Sequence, residues 1–132
     1  GSTPNFPAFS SYLLQREKLV ESGVRIYEYQ GDHSIHTKTY LVDDDISIIG
    51  SFNMDPRSAY LSTETMLVIH GEELQKQAVA LNDAYLKKSL LVGPDGEYIM
   101  EEGSVEERLP GRMKEALLWV CGIFTRFFSF LL

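Results

Sequence analysis

The chain has 132 residues, 44% hydrophobic and 23% charged, which fits one soluble globular domain and excludes a disordered one. A formal net charge of −7 excludes the broad basic surface that non-specific capture of DNA or RNA requires, so no nucleic-acid partner is expected. The single cysteine, Cys121, excludes an internal disulfide, and no zinc-type Cys/His spacing occurs.

In chain order, Ser10 and Ser11 offer a helix N-cap and Gly23 a left-handed stop, which predicts a helix over about residues 10 to 22. Val24 to Tyr29 alternates apolar and polar side chains as a strand does, and Gln30-Gly31-Asp32 punctuates it. Two runs rich in β-branched residues flank Asp43-Asp44-Asp45 and read as a hairpin, and Leu61 to Ile69 reads as a further strand. From Glu72 to about Leu91, the residues Leu74, Ala78, Leu81 and Tyr85 form one apolar stripe of an amphipathic helix that covers a sheet. Gly93-Pro94-Asp95-Gly96 is a turn, and Glu97 to Glu107 holds too few apolar residues to be core. The division expected is residues 1–92 as an α/β half-domain, 93–111 as an acidic linker and 112–132 as an apolar C-terminal helix. That last stretch is interrupted by Arg126 and is too short in its uncharged run to span a bilayer. It suits docking on its own protein, or contact with a membrane surface through residues 113–132.

The hairpin carries polar groups that a plain strand pair does not need. If Asp44 and Asp45 make the turn and Asp43 faces Ile46, then Tyr40 opposes Ile49, Lys38 opposes Ser51 and His36 opposes Asn53. In that register His36, Lys38, Ser51 and Asn53 share one face, and a slip of one residue would scatter them. Such a set suits a phosphoryl centre. Lys38 supplies a point charge, Ser51 and Asn53 supply neutral donors for non-bridging oxygens, and His36 is the side chain able to move a proton near neutral pH. No cofactor or metal is expected, since the spacing of His33 and His36 puts their rings on opposite faces of a strand.

The pattern His36-x-Lys38-x4-Asp43-x6-Gly50-Ser51-x-Asn53 resembles the HKD motif of the phospholipase D superfamily. The text from Phe52 through Ser58 and from Leu61 to Glu64 is similar to its bacterial cardiolipin synthase branch, and the likeness covers about Pro7 to Leu91. The resemblance implies an α/β fold: a mixed β-sheet with flanking helices, an α/β/α sandwich forming one half of a two-lobed enzyme. It implies transfer of a phosphatidyl group, from phosphatidylglycerol or a similar phospholipid, through a covalent phosphohistidine, without a cofactor. Water as acceptor gives hydrolysis, and a lipid alcohol gives cardiolipin. Glu64 is the implied carboxylate that orients the catalytic histidine, while Asp43 and Gly50 shape the hairpin. Asp55 and Arg57 bind a lipid head group or one another on this reading.

Family members build one active site from two such motifs, and this chain has one. The second half is therefore expected on another part of a longer polypeptide, because the chain starts without Met and directly before a helix, or on a homodimer partner. As the C-terminal half, the chain would give His36 as general acid. The implied place is the membrane, at its cytoplasmic face, with the fragment itself soluble. Two other classes compete: a homodimeric nuclease using the same residues, and a non-catalytic membrane or protein-interaction module whose working part is the Phe-rich tail.

Overall fold

The structure is a computed structural model that describes residues 6–108 together with Leu118. The elements are α1 (Phe6–Glu21), β1 (Tyr27–Tyr29), β2 (Thr39–Val42), β3 (Ile46–Gly50), α2 (Pro56–Tyr60), β4 (Met66–His70), α3 (Glu72–Leu86), β5 (Ser89–Val92) and β6 (Tyr98–Ile99). The α/β class is as expected, but the strands form two antiparallel three-stranded sheets, ordered β1-β5-β6 and β2-β3-β4. The described residues fall into two compact units, one of residues up to Ser34 and from Leu86 onward, the other of Ile35–Tyr85. The apolar helix expected over 112–132 lies outside the described residues, except Leu118, whose carbonyl accepts a hydrogen bond from Ser10 Oγ at 3.2 Å.

In the first unit, α1 begins four residues earlier than its serines suggest and stops where glycine permits. Gly23 has φ +94°, its amide donates to Val20 O at 2.9 Å, and the Val24 amide donates to Leu19 O at 3.1 Å. Those two bonds close off the carbonyls that a helix end leaves open. Strand β5 is central, with Glu28 opposite Leu90 on one side and Val92 opposite Tyr98 on the other. Opposed residues share a face, so Glu28, Leu90, Val92 and Tyr98 line one side of this sheet. Leu90 and Val92 are the buried apolar core there.

Helix α1 reaches the same side with polar groups. Tyr12 Oη and Tyr98 Oη each donate to the Glu28 carboxylate at 2.6 Å, and Arg16 donates to it at 2.9 Å. Arg16 also donates to the Gly96 carbonyl and lies 6.0 Å from the centre of the Tyr98 ring. Two strands and a helix are thus tied at one carboxylate. The run that reads as the end of a long helix, Ser89–Val92, is strand β5, and the acidic stretch expected to be a linker contributes β6.

In the second unit, the central strand β3 is made of Ile46, Ser47, Ile48, Ile49 and Gly50, whose branched side chains suit a pleated surface. Helix α3 follows β4 after Gly71, with Glu72 and Glu73 in its first turn, where the helix dipole favours negative charge. A polar bond joins it to the sheet. Gln75 on α3 and Ser47 on β3 are both buried, and Ser47 Oγ donates to Gln75 Oε1 at 3.1 Å.

Candidate functional site

The two strands of the hairpin pair as Thr39 with Ile49, Tyr40 with Ile48, Leu41 with Ser47 and Val42 with Ile46. The amide of Gly50 donates to Lys38 O at 3.1 Å, which carries the alignment one step further. This corrects the expected register by one residue. All of Asp43, Asp44 and Asp45 belong to the turn, and Val42, not Asp43, faces Ile46. The reason lies in Asp43, which adopts φ +51° and so begins the turn itself. Its left-handed backbone puts a third residue into the loop.

The shift divides the predicted quartet. By strand alternation Lys38 shares the face of Tyr40 and Ile48, while Ser51 continues the face of Ser47 and Ile49. Two side-chain pairs result, His36 with Lys38 and Ser51 with Glu64. In the first, Lys38 Nζ lies 2.9 Å from Nε2 and 3.1 Å from Nδ1 of His36, and donates to the His36 carbonyl at 3.1 Å. An ammonium has only donors, so it bonds whichever ring nitrogen lacks a proton. His36 is exposed and lies just before β2.

In the second pair, Ser51 Oγ donates to Glu64 Oε2 at 2.5 Å, and the Thr65 amide donates to Ser51 Oγ at 3.0 Å. Glu64, implied as the carboxylate that orients the histidine, is bound to Ser51 in this structure. Asn53 is exposed, and its backbone amide donates to Ser58 Oγ at 3.3 Å.

The loop behind these residues has its own supports. Asp55 Oδ1 accepts from the Ser58 amide at 2.7 Å, which makes it the N-cap of α2, with Pro56 at the position where a missing N–H costs nothing. A lipid head group or Arg57 was the expected partner of Asp55; the cap takes its Oδ1. Ser58, buried, shapes the turn that presents Asn53, and Tyr40 Oη donates to Phe52 O at 3.0 Å. The supporting bonds of Ser58 and Tyr40 were not legible in the sequence, although the Asp55-Pro56 step was a legible helix start.

Gly50 is needed for space. A Cβ there would land on the Thr65 carbonyl oxygen and 2.9 Å from Met66 Cα, in the backbone of the neighbouring strand. Gly50→Ala is therefore expected to destabilise the chain by about 1–3 kcal/mol in urea titration, because backbone must shift to admit the methyl group. A loss under about 0.5 kcal/mol would show that β3 and β4 are not packed this closely.

Among the described residues no group of three or more His, Cys, Asp or Glu is placed to hold a metal, and no helix is long and apolar enough to cross a membrane.

Comparison with protein families matches residues 4–84 to the one described as "Cardiolipin synthase, PLD-like domain". Among curated proteins, the chain is 39% identical over 75 residues to cardiolipin synthase A of Serratia proteamaculans, covering 57% of this chain and 15% of that protein. It is 38% identical over 77 residues to cardiolipin synthase A of Buchnera aphidicola, covering 58% and 16%. An uncharacterized protein of Helicobacter pylori strain J99 is 34% identical over 89 residues, covering 58% and 18%. The chain thus spans less than a fifth of the length of these relatives. No solved structure matches it.

Proposed function

Because the chain belongs to the family of cardiolipin synthase PLD-like domains, we propose that it is the C-terminal half of a phosphatidyltransferase site that moves a phosphatidyl group through a phosphohistidine. The observation that carries this reading is the placement of Lys38 Nζ within 2.9–3.1 Å of both ring nitrogens of His36, directly before the edge strand β2, whose partner β3 is held in turn by β4.

The chemistry follows from those two groups. A histidine nitrogen of the second half attacks phosphorus and forms a P–N bond. The P–O bond to the leaving alcohol breaks, and His36 as imidazolium gives that oxygen its proton. Neutral again, His36 takes a proton from the incoming lipid alcohol or water, whose oxygen displaces the phosphohistidine nitrogen. Lys38 serves both steps by holding a non-bridging phosphoryl oxygen. Its contact with His36 belongs to a neutral ring, so an arriving phosphate draws the ammonium away and the freed nitrogen takes a proton from solvent, which gives the imidazolium that protonates the leaving oxygen. Ser51 and Asn53 then act as neutral donors, and Glu64 acts on the phosphate side through Ser51.

The substrate on this reading is phosphatidylglycerol or a similar phospholipid, and the site works at a membrane surface, with residues 113–132 as a further contact. The second half comes from another stretch of polypeptide or from a second copy. The chain is to be incubated with phosphatidylglycerol vesicles over a range of protein concentration, with glycerol release and cardiolipin as readouts. Product that tracks a dimer, or that appears only when a second His-Lys half is supplied, is the expected result. Robust turnover by monodisperse monomer would refute the shared site.

A further inference from the structure

We propose that Gln75 is a positioning residue for the His36 and Lys38 hairpin, reaching from α3 to hold the carbonyl of Asp43 and thereby setting the β2-β3 register. Its catalytic meaning rests on the function proposed above; its structural content does not.

Gln75 is a primary amide in an interior position, 4% exposed, where an apolar residue is the usual occupant. Both ends of the amide are used. Oε1 accepts from Ser47 Oγ at 3.1 Å, and Nε2 donates to Asp43 O at 2.7 Å. Ser47 is fully buried in the central strand, so this bond fixes the amide's orientation and aims its NH2 group at the turn. The residue it grips has φ +51°, and aspartate reaches that region at a cost that glycine does not meet.

Packing does not hold the turn in place. A cavity of about 490 Å³ opens between the hairpin tip and α3, with Asp43, Asp44, Gln75, Val79 and Asp83 among its walls. Gln75 bridges that gap to the carbonyl where the left-handed step begins. If Asp43 left this conformation, the turn would shorten from three residues to two and β2 would slide by one. Every side chain on β2, and with it Lys38, would then move to the opposite face. A glutamine on a helix thus governs which side of the sheet receives the reactive pair.

The test is amide hydrogen exchange by NMR on the whole 132-residue chain, read at Gly50, whose amide donates to Lys38 O. In Gln75→Met, which keeps the volume and removes both bonds, exchange at Gly50 is expected to rise about tenfold while the amides of β5 stay protected. Adding Asp43→Gly should restore protection at Gly50, because glycine holds the positive φ without help. Gln75→Leu, which also removes both bonds with a different apolar shape, should behave like Gln75→Met and serves if the latter does not fold. A merely stabilising contact of α3 would not be rescued by a glycine in the turn. Gly50 exchange within about twofold of the parent chain in both variants overturns the proposal, as does failure of Asp43→Gly to restore it. Exchange is read without turnover, so failure of the transferase reading leaves this result intact.

Discussion

Replacing His36 with asparagine is expected to abolish phosphatidyl transfer in the assembled enzyme, by a factor on the order of 10⁴ or more. General acid–base transfer alone is typically worth about 10²–10⁴, and groups that act as a unit lose nearly all their effect when one is removed. The fold should be unaffected. His36 is exposed and lies before β2 begins, and it is bonded by Lys38 Nζ at the surface, so asparagine leaves no buried group unpaired. The measurement is the initial rate of cardiolipin formation on phosphatidylglycerol vesicles beside a melting curve. A rate within threefold of the parent at an unchanged melting temperature would take His36 out of the chemistry.

The second large effect concerns folding and comes from the first unit. Glu28→Gln is expected to destabilise the chain by about 3–4 kcal/mol in urea titration, since a half-buried carboxylate with three donors becomes an amide that presents an NH2 group to one of them. Burial works to raise the Glu28 carboxyl, and the hydrogen bonds from Tyr12, Tyr98 and Arg16 outweigh it and hold the group below the usual carboxylate range. The sign of the pH dependence follows. A depressed carboxyl contributes stability that is present above its unfolded value near 4.5 and is lost as pH falls through the lower folded value. The acid limb of the stability curve should therefore flatten in Glu28→Gln.

An alkaline limb should appear as well. Burial and then the bond to Glu28 push the Tyr98 hydroxyl up from 10.0 to about 12, and the same causes raise Tyr12. Stability from the raised phenols is present below pH 10 and is lost as pH climbs toward the folded values. An acid limb as steep in Glu28→Gln as in the parent chain would mean that this carboxylate does not tie the sheet to α1.

The elements legible in the sequence were those whose cause is local. Gly23 stops α1 by its own backbone freedom, the stripe from Leu74 to Tyr85 marks α3, and the β-branched runs around three aspartates mark a hairpin. The register of that hairpin was not legible, because it turns on the left-handed backbone of Asp43, whose carbonyl is bonded by Gln75, remote in the chain. Strand β5 was misread for a related reason. Ser89–Val92 is a short apolar run directly after a helix, which periodicity alone cannot separate from another helical turn, and the strand partners that decide it are Tyr27–Tyr29 and Tyr98–Ile99. Glu28 reads as the polar member of an alternating strand until Tyr12 and Tyr98 are brought to it by tertiary structure. For the candidate site, the motif residues were legible from their spacing, while the separation of His36 and Lys38 from Ser51 depends on the register.

The order of strands also fixes an order of events. Tyr29 pairs with Ser89, and everything from Ile35 to Tyr85 lies between them in the chain. The loop that this pairing closes therefore contains an entire folded unit, whereas β2 meets β3 across the turn of Asp43, Asp44 and Asp45, and β4 follows β3 with only α2 between them. On refolding the hairpin next to His36 and Lys38 is expected to assemble early from local contacts, while β1 can pair only once β5 is present. A chain arrested before Ser89 would already carry the His36 and Lys38 contact, yet it would lack the strand that joins β1 to β6.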